Sequence, residues 1–88
     1  MMLFMYAPSF NFNKVLGAVK YRYEVVDDLQ KRHTFIADGP NAFLTPVWND
    51  LPAGFVSVTV YGLSLTGSVI KEAGRRVFMK KAQFVPGS

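Results

Sequence analysis

The stretch WNDLPAGFVSVTVYGL, residues 48–63, joins a lone tryptophan to a proline and glycine turn and then to a run of almost unbroken alternation. Successive side chains of an extended chain point to opposite faces, so Val56, Val58 and Val60 share one side and Ser57, Thr59 and Tyr61 the other. β-Branched residues at this spacing fit a central strand with one dry face. Before it, DLPAG (50–54) supplies a turn, with Pro52 fixing one φ and Gly54 free to take a positive one. The segment therefore reads as scaffold before it reads as a reactive site.

The same period of two runs outward in both directions. In KYRYEVV (20–26) Tyr21, Tyr23 and Val25 oppose Lys20, Arg22 and Glu24, and in FNFNKV (10–15) Phe10, Phe12 and Lys14 oppose Asn11 and Asn13. Asp27 and Asp28 open a polar turn, HTFIAD (33–38) resumes an extended course, and GPN (39–41) breaks it. AFLTPVW (42–48) carries Pro46, which cannot donate to a ladder and so indicates an edge or a strand end. After the turn GLSLTG (62–67), residues 68–84 form a last strand with a bulge at Gly74. No window holds helical three-and-four spacing over three turns, and no helix is expected. With MLFMY (2–6) included, the count is seven strands with turn signals every 8 to 14 residues. That spacing predicts an all-β fold, a seven-stranded antiparallel β-sandwich.

Eighty-eight residues make one domain, with its core over about residues 7–81. Half the residues are apolar and 18% charged, so the chain can bury a core, and without cysteine that burial must supply the stability. Met1 to Ala7 is far short of the roughly 20 apolar residues that span a bilayer, so no membrane insertion is expected. It also lacks the basic start and cleavage site of a secretory signal. The closing VPGS (85–88) reads as a linker, in keeping with a module excised from a longer chain. The net charge of +4 is spread from Lys14 to Lys81 and is dense only over residues 71–81, a solvated strand face rather than a nucleic-acid footprint.

Residues 8–25, PSFNFNKVLGAVKYRYEV, and 51–63, LPAGFVSVTVYGL, resemble the fibronectin type III and related immunoglobulin-like sandwiches in their proline, G-A corner, Y-x-Y-x-V strand and L-P-x-G turn. The resemblance covers about residues 7–81. The chain departs from that pattern at Val56, where the fibronectin pattern has a tyrosine and builds a tyrosine corner, and at Phe12, where a tryptophan is usual. The combination is also similar to accessory modules beside catalytic domains in secreted bacterial polysaccharide-processing enzymes. That implies an extracytoplasmic setting and a carbohydrate-active neighbour.

Catalytic chemistry finds little support. His33 is the sole histidine, and zinc needs three or four ligands. Asp27 and Asp28 are adjacent, wrong for a paired acid and base but right for capping a turn; a weak calcium site there is the one metal alternative. Ser57, Ser64 and Ser68 have no nucleophile motif, and no glycine pattern cradles a phosphate. No cofactor, metal or enzymatic activity is expected. Trp48 either plugs one end of the core or, with Tyr61 or Tyr6, stacks on a sugar. Phe4, Phe10, Phe12, Tyr21, Tyr23, Phe35 and Phe43 are assigned largely to the core. The expected role is a non-catalytic spacer that positions an adjacent domain, with Trp48, Leu51, Phe55 and Tyr61 as candidate docking or glycan contacts. The alternatives are a carbohydrate-binding module and an interaction module that adds a strand at the edge near HTFIAD.

Overall fold

The computed structural model describes residues 1–83. In chain order it contains β1 (Leu3–Phe4), β2 (Lys20–Val26), β3 (Arg32–Ala37), a one-turn helix α1 (Thr45–Trp48), β4 (Gly54–Leu63) and β5 (Val69–Lys80). The strands make one sheet in the order β1-β5-β4-β2-β3. β1 runs parallel to β5, with Leu3 beside Met79, and the other pairs are antiparallel. The expectation of a seven-stranded antiparallel sandwich is thus corrected: the fold is a single mixed sheet curled into a half-barrel. The end of the expected last strand and the VPGS linker lie outside the described residues.

Two expected strands account for the difference. Residues 10–15 lie as coil across the inner face of the sheet, where Phe12 and Val15 are buried and Phe10 is partly so. Their alternation reports burial correctly, but the backbone makes only scattered bonds: Phe12 N–H donates to the Pro40 carbonyl (3.2 Å), Leu44 N–H to that of Pro8 (2.9 Å), and Ser9 and Phe43 form one isolated bridge. The second segment, 42–51, buries Leu44, Val47, Trp48 and Leu51, which is helical i, i+3, i+4, i+7 spacing over two turns. Pro46 sits in the first turn of α1, where its missing N–H is not needed. Phe43 points away from that stripe and is exposed, against its assignment to the core.

One core results, with a β floor and an irregular roof. Val56, Val58 and Val60 on β4, Tyr21, Tyr23 and Val25 on β2, and Ala73 and Phe78 on β5 form the floor; the two roof segments cover them. Phe78 lies centrally, its ring 5.5 Å from Phe4, 5.5 Å from Phe10 and 6.0 Å from Trp48. The coil approaches the sheet backbone at two glycines: a Cβ on Gly62 would lie 2.6 Å from Val15 Cβ, and one on Gly74 2.9 Å from Phe12 Cδ1. The β4–β5 register shifts at Val60/Tyr61 and again at Gly62/Leu63, so the extra residue opposite Tyr61 is Ala73, next to the glycine where a bulge is expected.

Candidate functional site

The alternation that buries the valines leaves the other side of the sheet open, and the register sorts that outer face into two halves. Towards the middle, Ile36, Arg22 and Tyr61 are cross-strand neighbours, followed by Thr34, Glu24, Thr59 and Arg75. Glu24 accepts a bond from Arg22 Nη2 at 3.1 Å and faces Arg32 Nε at 3.5 Å, while the Arg22 guanidinium lies 5.2 Å over the Tyr61 ring. Glu24 thus serves both Arg22 and Arg32 in this half.

At the end where β4 begins the face is apolar. Phe55 pairs with Met79 and Met79 with Leu3, and in the next row Val26, Ser57 and Val77 follow one another. Leu3, Phe55 and Val77 are all exposed. Phe55 and Val77 border a shallow cleft of about 310 Å³ that Met1, Val26, Asp28 and Arg75 also line. Asp28 fixes this end, its Oδ1 accepting a bond from Phe55 N–H at 3.1 Å.

The four residues singled out from sequence separate. Trp48 is 4% exposed and Leu51 3%, so both belong to the core and neither offers a face to a ligand. Trp48 Nε1–H donates to the Met5 carbonyl (3.1 Å), and Lys80 Nζ, 4.9 Å from its ring centroid, donates to the carbonyls of Trp48 (2.7 Å) and Leu51 (2.6 Å). Partial burial pulls the Lys80 ammonium below the ordinary lysine range. Tyr61 is half-buried under Arg22. Phe55, 52% exposed, is the one of the four that opens onto the apolar strip. The remaining strip residues, Leu3, Val26, Val77 and Met79, went unmarked in the sequence because only the register, and above all the parallel return of β1, brings them together.

Asp27 does cap the β2–β3 turn. It is buried, and its Oδ1 accepts bonds from Leu29 N–H (2.8 Å) and Lys31 N–H (3.0 Å), while Gln30 takes a positive φ of 66°. His33, expected as an unremarkable strand residue, contacts the other carboxylate oxygen through Nε2 at 2.8 Å. That bond first, and the two amides with it, hold the Asp27 carboxyl below the ordinary carboxylate range. Three or more His, Cys, Asp or Glu side chains do not converge on a metal-sized space among the described residues.

No protein-family model matches the chain, and neither the curated proteins nor the solved structures compared with it give a match.

Proposed function

We propose that this chain is a non-catalytic module that positions an adjacent domain of a longer polypeptide, and that it docks through the apolar strip on the outer sheet face. The observation that carries this reading is the row Leu3, Met79 and Phe55 with Val77 and Val26 beside it: four strands contribute apolar side chains, Leu3, Phe55 and Val77 the most exposed, to the face that the fold does not use for its core. Exposed apolar groups scattered singly need no explanation, whereas a contiguous patch rimmed by Asp28 and Arg75 has the anatomy of an interface. Phe55, Val77 and Leu3 are already about half covered by the fold, so burying what remains exposed is worth about 1 kcal/mol each. A tether to the neighbour lowers the entropy lost on docking, so an interface of modest size suffices.

The neighbour is proposed to be a carbohydrate-active domain outside the cytoplasm; this setting rests on the resemblance of residues 8–25 and 51–63, not on geometry. The test is Phe55→Asp with Val77→Asp in the intact polypeptide. Docking predicts that the pair separates the thermal transitions of the two domains and raises protease cutting between them, while the isolated module melts within a few degrees of the unsubstituted one. An intact polypeptide indifferent to both substitutions removes the docking role.

A further inference from the structure

The end of the sheet opposite the apolar strip carries two loops side by side, residues 14–19 and the β4–β5 turn at 64–68. They are joined: Val19 N–H donates to the Leu63 carbonyl at 2.9 Å, and a Cβ on Gly17 would lie in ordinary contact with Ile70, 3.7 Å from its Cδ1. Each loop is tipped by a leucine standing in water, Leu16 at 95% exposure and Leu65 at 88%. Both loops are held in shape. Ser64 and Ser68 close the second through N–H to carbonyl (2.8 Å) and N–H to Oγ (3.2 Å) bonds, and the first is pinned by Ala18 N–H to the Val15 carbonyl (3.1 Å) and Val15 N–H to Tyr21 Oη (3.0 Å). Neither leucine belongs to the core cluster, so the fold gives no reason for an apolar side chain at either tip.

The charge around the tips has one prevailing sign. Residues 1–23 and 51–71 contain no Asp or Glu, and Lys14, Lys20 and Lys71 flank the loops. Lys20 is paired with Asp38, and Glu72 follows Lys71, opposite Tyr61 on the outer face; Lys14 and Lys71 have no ion-pair partner among the described residues. Protruding leucines flanked by two unpaired lysines suit a surface that is soft, apolar below and anionic above.

We propose that this end contacts an anionic bilayer, with Leu16 and Leu65 entering the boundary between headgroups and acyl chains and Lys14 and Lys71 meeting lipid phosphates. A fluid bilayer accepts convex tips without a complementary groove, and apolar insertion adds to electrostatic attraction in such contacts. The contact lies on the membrane and does not cross it. It is independent of the docking reading: Phe55 and Leu63 are eight strand positions apart, roughly 26 Å at about 3.3 Å per residue, so both surfaces can be used at once.

The experiment is co-sedimentation of the chain with vesicles of phosphatidylcholine alone and of phosphatidylcholine mixed with phosphatidylglycerol. Binding is expected to the mixed vesicles, weakening as salt is added. L16D with L65D should lower the partition coefficient about tenfold or more. K14E with K71E should weaken binding to the mixed vesicles alone, and L29D, at a leucine that is also exposed but on the turn at the far end, should change nothing. Circular dichroism of each variant should match the parent, because these side chains lie outside the core. The proposal is overturned if the parent fails to sediment with the mixed vesicles, if L16D with L65D binds as the parent does, or if L29D loses as much binding as the tip variants.

Discussion

A single methyl group added at Gly62 should destabilise the protein, although Gly62 lies inside a strand, where alanine is ordinarily favoured over glycine by roughly 0.5–1 kcal/mol for entropic reasons. The opposing effect is steric. A Cβ at this position would lie 2.6 Å from Val15 Cβ and 2.8 and 2.9 Å from its two γ carbons. Rotating χ1 cannot move Val15 Cβ, and the Val15 N–H is tied to Tyr21 Oη at 3.0 Å, so the coil backbone itself must lift from the sheet. Overpacking costs about 1–3 kcal/mol, and three carbon approaches under 3 Å place this case in the upper part of that range, which leaves Gly62→Ala a net ~1–2 kcal/mol less stable. At roughly 4–8 °C per kcal/mol for a domain of this size, the melting temperature should fall by about 5–15 °C. Thermal melts followed by circular dichroism, with urea titrations beside them, measure this, and the cost should shrink on a Val15→Ala background because the two sites share the strain. A Gly62→Ala protein as stable as its parent, or more so, would refute the close seating of the coil on the sheet.

Three further outcomes are expected. Because its folded pKa is depressed, Asp27 contributes stability that is present above the ordinary carboxylate range and lost as pH falls through the lowered value; Asp38, depressed by the Lys20 hydrogen bond, acts with the same sign. Urea midpoints should therefore drop between about pH 5 and pH 2, and Asp27→Asn should flatten part of that slope. Lys80→Met leaves the Leu51 carbonyl without its Lys80 donor and the Trp48 carbonyl with only the Leu51 N–H (3.2 Å), and should cost about 1–2 kcal/mol by urea denaturation, with Lys80→Arg losing less. Tyr23 Oη donates to the Gly39 carbonyl (3.0 Å) and accepts from Ala42 N–H (2.9 Å), so Tyr23→Phe should cost about 1–2 kcal/mol in the same assay.

The floor of this fold was legible in the sequence and its roof was not. Tyr21, Tyr23 and Val25, and Val56, Val58 and Val60, alternate against polar partners, and these six are buried on neighbouring strands. Phe10 and Phe12 alternate with asparagines in the same way, yet period two records only which side of an extended chain meets the core, and a coil laid over a sheet obeys it as well as a strand does. In 42–51 the helical spacing of Leu44, Val47, Trp48 and Leu51 is present, but it spans two turns and contains a proline, which by local pattern marks a strand end although its place is the first turn of a helix. Phe55 was the one strip residue that local pattern could offer. Leu3 lies more than seventy positions from Met79 in the chain, and a parallel pairing of a two-residue strand leaves no local periodicity to detect. Leu65 stands in the turn GLSLTG and Leu16 lies between two expected strands, and only the structure shows both tips side by side.

One mixed sheet roofed by coil can be tested at once by a proton NOE map of the chain. Antiparallel Hα–Hα contacts are expected to link β2 with β3 and β4 and β4 with β5, with a parallel pattern between Leu3–Phe4 and Met79–Lys80 and side-chain contacts from Phe12 to Tyr23 and Val15 to Gly62. Continuous ladders through residues 10–15 and 42–48, pairing into a second sheet, would contradict it.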